Sequence, residues 1–394
     1  MNNSNPVLKQ AEAIHNEIIE LRRTLHSQPE LGFEEYRTSA FIADYLNKLG
    51  LKVITGIAKT GVIAVLKGEL PGSTIALRAD IDALPVQEEY DSAFKSQING
   101  RMHACGHDAH TAILLGTAKL LAINKNKLKG TVKFIFQPAE ENVSGAKAMI
   151  NEGVLQNPDV DIALALHILP DIKSGHIEIK DGIILSSMDE FMINILGKGG
   201  HGSNPQNTID PIVTGSQLVT ALQTIVSRRI SPSQPAVVSI CQFLSGTKSN
   251  IIPSTAYLSG TIRCQDEEVR KNIFKEMDVV TKGVCASFGA DYELKINDQL
   301  PAALNDRCIF NDFVNCTSEI LEKHEVEFLE KPRTYSDDFA LFGKKVPSLY
   351  FLVGTYNEKK DCIHPPHSSK YKIDEDIFPL GVALFTNYCM NRCL

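Results

Sequence analysis

Four short apolar runs, at 62–66, 74–77, 132–136 and 162–166, alternate with helical patterns, and this order constrains the fold more than any other feature of the chain. β-rich runs that alternate with helices imply an α/β layer built on a largely buried sheet, with functional side chains at the strand ends and in the loops that follow. The chain opens on an amphipathic helix: apolar residues at 8, 11, 14, 18, 21 and 25 keep the helical period until Pro29. A second helical pattern over 38–49 ends at Gly50.

From about residue 189 the order changes. Residues 189–196 alternate as a strand, 210–228 are helical, 236–244 and 255–263 read as strands, 266–287 are helical and 291–296 form a last strand. This β-α-β-β-α-β order is the ferredoxin-like split unit, and it predicts an inserted second domain. After Pro301 the chain returns to the first layer, with a helix over 310–323, a strand at 348–353 and a final helix from about Glu375. The predicted fold class is therefore α/β with two domains, one discontinuous (1–188 and 301–394) and one inserted ferredoxin-like α+β domain (189–300). A length of 394 residues exceeds what a single core usually sustains.

A formal net charge of −7 and a pI of about 5.9 argue against nucleic acid as a partner and for a small-molecule substrate. The nine cysteines are scattered, odd in number and without a CxxC pair, so they do not resemble a disulfide framework. Together with an N-terminus lacking the basic-then-apolar order of a signal peptide and no bilayer-length apolar stretch, this predicts a cytoplasmic protein without membrane contact.

The chemistry concentrates at 102–111, Met-His-Ala-Cys-Gly-His-Asp-Ala-His-Thr, with three histidines, a cysteine and an aspartate in ten positions. Cys105 and His107 offer a thiolate and an imidazole, a donor pair suited to zinc and workable for other divalent metals. A buried cysteine beside a capping histidine, or a Cys–His nucleophile pair, gives the same spacing. Adjacent Glu140 and Glu141 follow an apolar run, and neither carboxylate tolerates an unpaired place in an apolar core. An extended segment there would turn the two side chains opposite ways, one to metal and one to proton transfer; alternatively both cap the helix that follows. His167, after 162–166, and His367, in the loop His364-Pro365-Pro366-His367, suit the same site by position.

With these segments taken together, the chain resembles the M20 metallopeptidase family, in particular its amidohydrolase branch of hippurate hydrolases, N-acyl-amino acid deacetylases and auxin-conjugate hydrolases. The resemblance runs nearly end to end, through 22–34, 78–85, 102–111, 136–141, 197–202 and 337–339. It implies a catalytic domain from the discontinuous part and a lid or dimerisation domain from the insert. It further implies two divalent metal ions (Zn, Mn, Co or Ni) held by Cys105, His107, Glu141, His167 and His367, with Glu140 as general acid/base and Asp82 orienting behind the metals. The last ligand is His367 rather than His364 by its distance from Asp374-Glu375. Asp80 stands where other branches have a histidine ligand. His201, Asn250 and Arg263 match substrate-binding positions, with His201 expected to reach across a homodimer. Asn142-Val143-Ser144-Gly145 and Asp337-Asp338-Phe339 depart from the family pattern, at what the resemblance makes the pocket margin.

The implied activity is metal-dependent hydrolysis of N-acyl amino acids, whose carboxylate suits the forked donors of Arg263; the bland reading of Arg263 is a salt bridge inside the inserted domain. Dipeptidase or carboxypeptidase action is the alternative on the same scaffold. A cysteine hydrolase using Cys105 and a non-catalytic binding protein are the rivals from other classes.

Overall fold

The computed structural model describes residues 4–392. The chain divides into two compact units, the first comprising Met1–Ile184, Leu304–Lys331 and Asp337–Leu394, the second Leu185–Ala303 and Pro332–Ser336.

The first unit is built on a sheet with eight strands among the described residues, in the spatial order Lys52–Ile57, Gly61–Lys67, Lys129–Gln137, Leu70–Asp80, Ile162–Lys173, Ser348–Tyr356, Ile177–Ile179 and Val326–Phe328. Its central strands are parallel, Lys129–Gln137 with Leu70–Asp80, Leu70–Asp80 with Ile162–Lys173, and Ile162–Lys173 with Ser348–Tyr356. The apolar runs are buried on both faces, as parallel strands require: Ile75, Ala76, Leu77, Phe134, Phe136 and Leu164 are fully enclosed. The register sets Asp80 opposite Gln137 and Arg78 opposite Ala165, so three strands deliver their following residues to one end of the sheet.

Helix His107–Ile123 is buried almost all round and packs against His15–His26 and Phe378–Asn391 in the same core. The amphipathic N-terminal pattern is split into two helices, Pro6–Ala13 and His15–His26, by a turn at Ile14. Both halves nevertheless lay the periodic face, Leu8, Ala11, Ile18 and Leu21, on the core. The helix predicted over 310–323 lies earlier, at Arg307–Thr317, because Asp306 caps it through the amides of Cys308 and Ile309.

The second unit carries a four-stranded sheet in the order Ala236–Ser245, Thr255–Cys264, Met188–Leu196 and Asp291–Leu300, with antiparallel neighbours. Numbered by occurrence this is 2-3-1-4, the ferredoxin-like order. Helices Pro211–Thr224 and Glu267–Phe288 complete it. Asp210 and Asp266 cap their N-termini, and Gly289 ends the second at φ 71, a left-handed conformation that suits glycine. No helix among the described residues is long and apolar enough to cross a membrane.

Candidate metal centre

Each segment of the centre leaves a strand or enters a helix of the first unit. Leu70–Asp80 ends at Asp80 and delivers Asp82 two residues later; Lys129–Gln137 leads to Glu140 and Glu141; His167 sits within Ile162–Lys173. Cys105 lies in the loop before helix His107–Ile123, and His107 is the first residue of that helix. Gly106 between them has φ 92, and a Cβ there would lie 2.6 Å from Ile168 Cδ1. Glycine is therefore required for Cys105 and His107 to face the same place.

The ligand atoms of Cys105, His107 and His167 lie within 4.8 Å of one another, as do those of Cys105, Glu141 and His367, and those of His107, Glu140 and Glu141. Cys105 Sγ is 3.5 Å from His167 Nε2, and His367 Nε2 is 3.4 Å from Glu141 Oε1. His367 is held by its backbone, at φ 66, with its amide donating to Ala104 O at 2.7 Å. His364 joins no such group among the described residues.

Two imidazoles have their orientation set from behind. His107 Nδ1 meets Asp82 Oδ1 at 3.1 Å, while the other oxygen of Asp82 accepts the Glu141 amide at 3.0 Å. His167 Nδ1 donates to Ile168 O at 2.8 Å, which turns Nε2 toward Cys105.

The donors fit a divalent cation. Among the described residues His107 Nε2 and Glu141 Oε1 are buried without a hydrogen-bond partner, 3.9 Å apart, and such orphaned atoms are costly unless something binds them. The local field favours positive charge: burial alone would lower the His107 pKa, but Asp80, Cys105 and Asp82 hold it well above the usual imidazole range. A thiol, imidazoles and a carboxylate are donors for zinc and its first-row neighbours, not for the oxygen-seeking cations.

The other titrating groups are pushed apart. Burial, then Asp337, Asp338 and Glu141, hold the Glu140 carboxyl well above the carboxylate range. Burial also works against the charged form of Glu141, but the neighbouring imidazoles of His367, 3.4 Å from Oε1, and His107 outweigh it and lower its pKa. Burial and His110 push His167 down to about 3, and burial pushes the Cys105 thiol well up.

Two expectations about local structure are corrected. Glu140 and Glu141 are not in an extended segment: Ala139 and Val143 have φ of 52 and 55, and Val143 N donates to Glu140 O at 2.7 Å, closing a tight turn. Neither glutamate caps helix Gly145–Asn151; Asp338 accepts the Ala146 amide there at 2.9 Å. Asp337 and Asp338 are 3 % and 0 % exposed, and their carboxylate oxygens lie within 4.8 Å of that of Glu140. They clamp Arg78 at 3.0 and 2.8 Å, and Arg78 also holds Asp80 at 2.7 Å.

The pattern of residue types does not single out His110 or the interior partners of 22–34. His110 receives the Ile168 amide on Nε2 and meets Asp80 Oδ1 at 2.6 Å, so both ring nitrogens are used. Asp108 turns away from the centre to His26 Nδ1 and Arg22 Nε, each at 2.7 Å.

The three predicted substrate residues belong to the second unit. His201 is exposed, and its Nδ1 accepts from the Ser203 amide and lies 2.8 Å from the Ser203 hydroxyl, so Nε2 is the ring's outward nitrogen. Asn250 is exposed beside it, its carbonyl accepting the Gly202 amide at 2.9 Å. Arg263 is half-buried and forms no ion pair among the described residues; it donates to Ser336 Oγ at 2.7 Å. The bland reading of Arg263 as half of an internal salt bridge is thereby corrected.

The chain is 44% identical over 372 residues to thermostable carboxypeptidase 2 of Saccharolobus solfataricus, covering 93% of each chain. It is 40% identical over 376 residues to N-acetylcysteine deacetylase of Bacillus subtilis, covering 95% of this chain and 96% of that one. The crystal structure of the Bacillus subtilis YXEP protein, described as a dinuclear metal binding peptidase from the M20 family, superposes with a TM-score of 0.84 at 36% identity, covering 96% of this chain and 98% of that one. Residues 76–391 match the description Peptidase family M20/M25/M40, and with thiol, imidazole and carboxylate donors gathered at the exits of its central strands, the chain belongs to that family.

Proposed function

We propose that the chain is a metal-dependent amidohydrolase that cleaves N-acyl amino acids to a carboxylic acid and a free amino acid. The observation that carries this reading is the convergence of Cys105, His107, His167, Glu141 and His367 beside Glu140, a carboxyl that burial and its acidic neighbours keep easily protonated. In this reading those five side chains hold two divalent metal ions. When bound, the ions supply Lewis acidity that makes water a nucleophile near neutral pH and polarises the amide carbonyl.

The chain's own residues divide the remaining work. Glu140 takes a proton as water adds to the amide carbon and returns it to the nitrogen as the C–N bond breaks, without which the amine is a poor leaving group. Asp82 keeps His107 turned and Glu141 in register through its two oxygens. His201, with Nε2 outward, suits the charge that develops on the carbonyl oxygen, and Asn250 is assigned with it to the acyl amide. Arg263, a guanidinium with no carboxylate partner among the described residues, suits the free carboxylate of the substrate.

A second reading follows from the 44% identity to the Saccharolobus solfataricus carboxypeptidase: the acyl group is itself an aminoacyl or peptidyl group. The homodimer expected from the resemblance is supported by the apolar side chains Val237, Phe243 and Leu244, which stay exposed on the edge strand Ala236–Ser245.

The test is to strip the protein with a chelator and reload it separately with Zn²⁺, Mn²⁺, Co²⁺ and Ni²⁺. Each sample is then assayed on N-acetyl, N-benzoyl and N-aminoacyl amino acids. Activity that returns with metal and is lost by orders of magnitude in Glu140→Gln at unchanged metal content is the expected result. Chelator-insensitive turnover abolished by thiol alkylation would instead identify a cysteine hydrolase.

A further inference from the structure

Glu35 is fully buried at the start of helix Tyr36–Lys48, yet it does not serve that helix with its side chain. Its carboxylate reaches across the unit, Oε1 accepting the Ala139 amide at 2.8 Å and Oε2 the Thr60 hydroxyl at 2.5 Å. Ala139 is the residue immediately before Glu140 and has φ 52, a conformation an alanine adopts only when its surroundings impose it. The segment around Glu35 packs tightly there. A Cβ on Gly32 would lie 2.5 Å from Asn142 Nδ2 and 3.0 Å from Ala139 Cα, so Gly32 lets the segment lie directly on the turn. The same segment grips the neighbouring strand exit, with the Ala83 amide donating to Glu30 O at 2.8 Å, one residue beyond Asp82.

We propose that Glu35 is a positioning residue that fixes the turn carrying Glu140 and Glu141, a role that rests on the reading of Glu140 as proton carrier. The turn has two independent tethers: Asp82 holds its Glu141 amide and Glu35 holds its Ala139 amide, so the residues on either side of Glu140 are both pinned. Stability alone does not account for a polar side chain at position 35, because burying it costs more than burying an apolar side chain of similar volume. Releasing the Ala139 tether leaves Glu141 held by Asp82 and frees Glu140. The effect should therefore fall on turnover and not on substrate affinity or metal content, since a displacement of about 1 Å costs on the order of 10²-fold in rate.

The experiment compares the metal-loaded full-length wild type with Glu35→Ala, Glu35→Asp and Glu35→Gln. It measures kcat and KM for an N-acyl amino acid, bound metal, and amide hydrogen exchange of residues 137–145. In Glu35→Ala, exchange in that segment should rise about tenfold and kcat fall on the order of 10²-fold, with KM and metal content within about threefold. Glu35→Gln, which keeps an oxygen to accept the Ala139 amide, should restore most of both. Glu35→Asp keeps the charge but withdraws it by one methylene, and reads the same quantities if the alanine variant does not fold. Unchanged exchange, or kcat within twofold of wild type in a folded Glu35→Ala or Glu35→Asp, overturns the proposal. Wild type that hydrolyses none of the substrates refutes the functional reading instead, while the exchange measurement still decides whether Glu35 holds the turn.

Discussion

Asp82 ties His107 to the turn that bears Glu141: one carboxylate oxygen meets His107 Nδ1 at 3.1 Å and the other accepts the Glu141 amide at 3.0 Å. A single buried side chain thus sets the bearing of two donors that are 34 residues apart in sequence. Asp82→Ala should weaken metal binding by about 10- to 100-fold, since outer partners of this kind contribute that much to affinity. Competition with a chromogenic chelator measures it, and wild-type affinity in a folded variant would remove Asp82 from this role.

Arg263 is half-buried with no carboxylate partner among the described residues, and burial pushes its pKa down. Arg263→Ala should raise KM at least tenfold for substrates with a free carboxylate and leave KM for their amide-capped counterparts nearly unchanged. Thermal unfolding should move little, because the hydrogen bond lost to Ser336 is worth about 1 kcal/mol. Equal effects on both substrate types would show that the guanidinium does not read the carboxylate.

Arg78 is enclosed by Asp80, Asp337 and Asp338, all at 3.0 Å or less. Removing one partner from a buried ionic cluster leaves charge without compensation, at a cost of about 3–5 kcal/mol. Arg78→Met should therefore lower the free energy of unfolding in urea by that order. A loss under 1 kcal/mol would mean that the acids neutralise themselves by taking up protons.

Asp374 ties the loop that carries His367 to the sheet, accepting from Lys360 at 2.6 Å, Asn357 at 2.7 Å and Ser174 at 2.8 Å. Burial disfavours its charge, but these three donors outweigh burial and lower its pKa. A carboxyl with a lowered folded pKa stabilises the protein above its unfolded pKa of about 3.9 and loses that contribution as pH falls through the folded value. Asp374→Asn should accordingly be less stable than wild type at pH 7, and the gap should close below about pH 4. A gap that stays constant or widens on acidification would contradict the assignment.

Much of the fold is legible in the residues because periodicity and apolar runs are local signals. The strand at 132–136, the helix ended by Gly289 and the β-α-β-β-α-β order of the second unit follow from neighbours in sequence alone. Side-chain chemistry at 102–111 likewise points to a metal centre by residue type and density, since so many donors in ten positions have few other uses. Helix Arg307–Thr317 starts earlier than its apolar period predicts, because the Asp306 cap and not the first apolar residue sets its opening turn.

What spacing along the chain does not carry is which side chains stand behind the donors. Asp337 and Asp338 stand in the sequence only as a departure from the family pattern, yet folding brings them some 200 to 260 residues back to Gln137 and Arg78. Glu140 and Glu141 read as an extended pair, but the Glu35 carboxylate and the left-handed Ala139 make them a turn. Donor types and secondary structure were thus determined by local composition and period. Tautomers, burial and the tethers of each donor were decided by tertiary contacts, because hydrogen bonds and solvation depend on neighbours in space that no local pattern encodes.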